Sequence, residues 1–321
     1  MKFSARKYVL WTLGLTATVL SGIVLLNYFI DPYNRFGNNR LGVYISAERE
    51  AKPTWVRTCP HDALLMGNSK AAMIPVSGLN GFHFFNASFG GATTEEIYYF
   101  IEHFARDEKL ILLSADLGQC DPPLNKGDLF APPDWETSLD SLLNAKTTEY
   151  SVRTIADHWT GKPPGLLADG SFDASGWFKL YDHENKTYLQ WQLNDLQRQR
   201  DNTSILSLQH MSFYVKIAQV LRQRGIACVV FVPPLYPAMV DHLRTSPRRE
   251  ALLSWKVELQ KIFPNLVDLA TSSYCTTENF FKSDAVHFKP EIGVRLLNEK
   301  VIPMAIEVVH KNVKPIALPV R

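Results

Sequence analysis

The sequence predicts an α/β fold: a three-layer sandwich of about five parallel strands, preceded by an N-terminal transmembrane helix and interrupted by an irregular insertion after the third strand. Three observations predict it. Apolar runs too short for helices alternate with helical repeats along the chain. The first uncharged run is long enough to cross a bilayer. One middle stretch loses the alternation and fills with Pro, Gly, Asp, Asn and Trp.

The anchor comes first. Residues 8–30, YVLWTLGLTATVLSGIVLLNYFI, carry no charge. As a helix they span about 34 Å, enough for a bilayer core. Lys2, Arg6 and Lys7 precede them, so the N-terminus is expected in the cytoplasm and the bulk of the chain outside it. A cleaved signal peptide needs a shorter apolar run and a small-residue site. Here the run resumes after Ser21 and Gly22 with IVLLNYFI, which favours a retained anchor. Tyr8, Trp11, Tyr28 and Phe29 suit the two interfaces. The expectation is a single-pass protein of the inner (cytoplasmic) membrane, its C-terminal domain periplasmic or otherwise extracytoplasmic, with the lipid bilayer as partner through residues 8–30.

Residues 31–59 begin with DPYNRFGNNRLG and read as a turn-rich juxtamembrane linker. The domain proper is expected over residues 60–310. Its strands are Ala63–Met66 and residues 82–88, 110–116, 226–232 and 265–270. Thr93 and Glu96 have capping-box spacing and open a helix through Phe104. Further helices are expected over residues 205–224, 248–263 and 290–310, the last with Pro290 in its first turn. Residues 120–203 are the insertion, read as irregular structure with short helices, and residues 311–321 are a tail.

The formal net charge is only +2, and residues 1–7 hold three of the bases. The remainder has no basic block, which argues against a nucleic-acid partner. Of the four cysteines, Cys228 lies in an apolar run and reads as a buried thiol. Cys120 and Cys275 both follow strands, and an exported domain would allow a disulfide between them; four cysteines allow three full pairings. No metal-ligand spacing, GxGxxG, P-loop or HExxH is found in the sequence, so no cofactor or metal is expected.

Parallel sheets bind ligands at the C-terminal ends of their strands. Two short motifs fall there or beside it. Gly67-Asn68-Ser69-Lys70 follows the first strand, where a tight turn would expose the Ser69 hydroxyl as a nucleophile if a base reaches it. A serine in that place is also a common helix cap. Asp284-Ala285-Val286-His287 precedes the last helix. A carboxylate three residues before a histidine can fix its tautomer, and the histidine can then take a proton from a serine. Lys70 reads as a solvated surface charge. His61 and Asp62, at the opposite end of the sheet, read as structural. Trp159, Trp177 and Trp191 in the insertion either stack on sugar rings or form the small core of a lid.

Together, GNSK, NASFGGATT and DAVH resemble the blocks of the SGNH (GDSL-like) hydrolases and acyltransferases. The resemblance covers roughly residues 60–118 and 205–310. The N-terminal anchor, the DPY segment, Pro233-Pro234 and the DxxHF ending also resemble its membrane-anchored branch related to alginate O-acetylation proteins. The resemblance implies a flavodoxin-like sheet and acyl transfer. Ser69 would be the nucleophile, His287 the base and acid, and Asp284 its orienter. The amides of Ser69 and Gly91 would face the oxyanion, with Asn86 or Asn68 as further donors. The natural substrate would be an acyl ester, most simply acetyl, of a cell-surface polysaccharide. Asp116 departs from the pattern: it stands where the family places an oxyanion asparagine, and an ionised carboxylate there would repel an oxyanion. The alternative is a non-catalytic envelope protein that binds a glycan or an export-assembly partner in the same cleft.

Overall fold

The computed structural model describes residues 5–116, 128–130, 140–163, 165–202, 208–247 and 249–313. The chain forms two compact units. The first comprises Met1–Trp55 and Ala131–Leu166, the second Val56–Phe130 and Leu167–Arg321.

The second unit is the predicted α/β sandwich. Its strands are β1 (Ala63–Met66), β2 (Phe84–Asn86), β3 (Leu110–Ser114), β4 (Ala227–Val232) and β5 (Val267–Asp268). All pairings are parallel, in the order β2-β1-β3-β4-β5. This is the flavodoxin-like order. Every residue of β1, β2 and β3 is buried, as expected where helices cover both faces of a parallel sheet. That is why ALLM and LILLS read as unbroken apolar runs. At the far edge β5 has only two residues, fewer than the apolar run of 265–270 suggests.

The helices follow the sequence pattern closely outside the insertion. The helix Thr94–Phe104 carries the predicted capping box, with Thr93 Oγ1 accepting from Glu96 N and the Glu96 carboxylate accepting from Thr93 N. The last helical stretch is Pro290–Leu296, a π turn at Leu297–Val301, then Ile302–Val313, which packs on β3 and β4.

Two regions are more ordered than their composition suggests. The 31–59 segment holds a helix at Glu48–Thr58, in which Lys52 and Trp55 are buried. Trp55 Nε1 donates to the Tyr33 carbonyl at 2.7 Å. The insertion, read as irregular with short helices, contains Ala145–Trp159, Ser175–Tyr181 and Lys186–Asn202. Their signal is weak for a physical reason. The buried face of Ala145–Trp159 is Thr147, Ser151 and Thr154, small hydroxyls with no apolar period to detect.

In the first unit this hydroxyl face meets the N-terminal helix Ala5–Ile30. Asn27 Nδ2 donates to the Leu142 carbonyl and to Thr148 Oγ1, and Ser151 Oγ donates to Asn27 Oδ1. The rest of the helix is apolar, exposed and long enough to cross a membrane. At its end Asp31, in the left-handed region, caps the following turn by accepting the amides of Arg35, Phe36 and Asn38.

Candidate active site

The turn after β1 is built around Gly67. A side chain there would bring its Cβ within 2.7 Å of Ser114 Cβ and 2.8 Å of Ala71 Cβ, so only glycine lets the chain pass. Asn68 then caps a short helix, Ser69–Ala72, its Oδ1 accepting from Lys70 N at 3.1 Å. This job orients the Asn68 side chain and places Ser69, half-exposed, in the first turn. Asn86 clamps the same helix from β2. Its Nδ2 donates to the carbonyls of Ala71, Ala72 and Ile74, and its Oδ1 accepts from Ser88 N. Asn86 is fully buried, so it fixes the serine turn structurally and is not a donor open to substrate.

The Asp284–His287 loop brings the other half. His287 Nε2 lies 2.9 Å from Ser69 Oγ, and its Nδ1 lies 2.7 Å from Asp284 Oδ2. A carboxylate only accepts, so Nδ1 carries the proton and Nε2 is left to receive one. The loop is tied back on itself, because Asp284 Oδ1 also accepts from the amides of Val286 and His287. Ser69 and the Asp284–His287 pair, 218 positions apart at Ser69 and His287, thus form one hydrogen-bonded relay.

Two further residues complete it, both from the insertion. Trp177 Nε1 donates to Asp284 Oδ2 at 2.9 Å, and its ring meets the imidazole of His287 edge-on at 5.2 Å. Gln192 Nε2 donates to Asp284 Oδ1 at 3.2 Å while its Oε1 accepts from Ala285 N at 2.6 Å. Five donors therefore converge on one carboxylate. Burial alone would raise the pKa of Asp284, but the His287 bond and charge, the Trp177 N–H and the Val286 amide outweigh it and hold the pKa at about 2. Because this lies below the ordinary carboxylate value, the stabilisation is complete above about pH 4 and is lost as pH falls towards 2. Its expected size is about 2 kcal/mol. Denaturant unfolding of wild type and Asp284→Ala between pH 6 and pH 2 checks this. The stability gap should narrow on acidification, and a gap independent of pH would contradict it.

Asp116 follows β3 at the same sheet edge. Its Oδ2 lies 2.6 Å from Lys70 Nζ, with the two side chains 4% and 6% exposed. Lys70 is therefore not the solvated charge its place in a first turn suggests. It neutralises the Asp116 carboxylate. Lys70, Asp116, Asn68, Tyr236, Ala285 and Val286 line a cavity of about 110 Å³, which flanks the serine turn on one side and the histidine loop on the other. Gly91 lies in the exposed turn after β2 with φ of +61°.

His61 and Asp62 do structural work before β1: His61 bonds the Cys59 carbonyl and Glu108, and Asp62 accepts from His83 N and Lys109 Nζ. Cys275 is a free thiol near the Ala270 carbonyl. Its pairing with Cys120 lies outside the described residues, as Cys120 does. Among the described residues no three His, Cys, Asp or Glu side chains gather as a metal site.

No protein-family model matches the chain, and no curated protein matches it in sequence. Fold and site geometry therefore carry the functional argument alone.

Proposed function

We propose that this chain is a membrane-anchored serine esterase or O-acyltransferase of the cell envelope, acting on acyl esters, most simply acetyl, of a cell-surface polysaccharide. The observation that carries it is the Ser69–His287–Asp284 relay, with both imidazole nitrogens in hydrogen-bond reach of their partners. Ser69 Oγ attacks the ester carbonyl and gives its proton to His287 Nε2. The carbonyl electron pair moves onto oxygen. Asp284 holds the imidazolium that forms. Collapse expels the alcohol, which takes the proton from His287 and leaves an acyl-serine. Water or a sugar hydroxyl then repeats the steps in reverse. The basic residues before the apolar helix support a folded part on the outer side of a cytoplasmic membrane.

A second reading, a non-catalytic glycan- or partner-binding protein, draws on Asp116, which keeps a carboxylate in the cavity wall beside the serine turn. The test is covalent. The full-length chain in detergent is treated with a fluorophosphonate, and the modified peptide is located by mass spectrometry. Full length matters because removing the first 39 residues takes away Asn27 and Tyr33, both bonded within the first unit. One-to-one labelling of Ser69, blocked in His287→Ala, supports the enzyme. A chain that neither labels at Ser69 nor releases p-nitrophenol from p-nitrophenyl acetate is the binding protein.

A further inference from the structure

The loop that carries the histidine is held by the insertion. Ser283, Asp284 and Ala285 are buried, and each is bonded to it. The Tyr181 carbonyl, at the end of the helix Ser175–Tyr181, accepts from Ser283 N at 3.0 Å and from Ser283 Oγ at 2.9 Å. Trp177 and Gln192 reach the Asp284 carboxylate, and Gln192 also takes the Ala285 amide. The other bonds stay inside the loop. Asp284 N donates to the Phe281 carbonyl, and Asp284 Oδ1 accepts from Val286 N and His287 N. Among the described residues, none of these bonds runs to a strand.

Gln192 differs from the other two contacts. Trp177 and Tyr181 also pack against the apolar cluster of Met73, Ala174 and Phe281. Gln192 comes from the next helix, Lys186–Asn202, and is half-buried. Its single amide group bonds two consecutive residues. Oε1 accepts from the Ala285 amide at 2.6 Å, and Nε2 donates to Asp284 Oδ1 at 3.2 Å. Satisfying the buried Ala285 amide needs only an acceptor. The Nε2 bond does more. With Oδ1 held by Gln192 and the loop amides, Oδ2 is left facing His287 Nδ1 at 2.7 Å. The same helix face continues past the loop. Leu196 and Gln199 stand four and seven residues on, and both line the cavity beside Ala285 and Val286. One helix therefore touches the carboxylate and the cavity wall.

We infer that Gln192 is a positioning residue. Through its amide the helix Lys186–Asn202 sets the orientation of the Asp284 carboxylate, and through that the alignment of His287 with Ser69. The insertion is thereby part of the catalytic apparatus and not only a cover over it. The effect on turnover rests on the esterase reading above; the orientation itself does not require turnover.

Two substitutions in the full-length chain test this, each first shown to be folded by its melting temperature. Gln192→Glu keeps the length and an acceptor for the Ala285 amide but, ionised, donates nothing to Asp284. Gln192→Leu removes both bonds. The first readout is the His287 Nδ1 proton, which a carboxylate partner shifts far downfield in the proton NMR spectrum and which His287→Ala identifies by its absence. It is expected to move upfield or broaden away in both variants. An unmoved resonance overturns the inference, and so does a wild type that lacks it. The second readout is turnover of p-nitrophenyl acetate. Because Gln192 acts through Asp284 and not on the substrate, kcat is expected to fall about 10–100-fold with KM changed by less than about twofold. An unchanged kcat, or a loss confined to KM, overturns the inference. If the proton moves as expected while the wild type neither turns over the ester nor labels at Ser69, the esterase reading fails and the positioning role stands.

Discussion

Asp284→Asn is expected to lower turnover of p-nitrophenyl acetate by about 10⁴-fold, the scale seen when a triad carboxylate becomes an amide. The reason lies in the donors around it. His287, Trp177, Gln192 and two backbone amides all point at the two carboxylate oxygens. An asparagine offers one acceptor oxygen and one NH2 group. If the NH2 faces Oδ1's donors, it meets Gln192 and the Val286 amide. If it faces Oδ2's donors, it meets Trp177 and forces the His287 proton from Nδ1 to Nε2, where it blocks proton transfer from Ser69. Steady-state kinetics on folded protein, verified by circular dichroism, provide the check. A loss of less than tenfold would remove Asp284 from the mechanism.

Lys70→Met is expected to cost about 3–5 kcal/mol of stability, because it takes the ammonium away from beside the buried Asp116 carboxylate. The double variant Lys70→Met/Asp116→Leu should regain most of that loss, since it removes the buried carboxylate together with its ammonium. Melting temperatures of the three proteins in one detergent decide the matter. A Lys70→Met protein as stable as wild type would mean that the pair is screened and contributes little. Turnover of the double variant then asks whether the ammonium serves the reaction beside the serine as well as the fold.

Much of this molecule is legible in its sequence, and the illegible parts have physical causes. The parallel sheet is readable because β1 and β3 are buried on both faces and so are apolar at every position. Ser69, Asp284 and His287 are readable because each follows or precedes an element whose end the sequence marks. Lys70 is misread because residue type says nothing about a partner 46 positions away. Trp177 is read as a sugar-stacking or lid-core residue and Gln192 not at all, for a similar reason: each bonds Asp284 from about 100 positions away. Asn86 is placed at the right strand, but its amide meets three carbonyls of the serine turn, a contact no local pattern records. Asp116 is the instructive case. Taken alone it argues against catalysis, and the buried lysine beside it removes most of that objection.

On the proposed reading of Ala5–Ile30 as a bilayer span, Asn27 sets how deep that helix can sink. Its amide is bonded to the Ala145–Trp159 helix and the segment just before it, so it stays wherever that helix stays, which on that reading would be outside the hydrocarbon. The apolar length left on the other side, residues 8–26, is about 28 Å at about 1.5 Å per residue. That nearly equals the thickness of a bilayer core. On that reading the first unit would be held at one depth against the headgroups, on a post and not a loose tether.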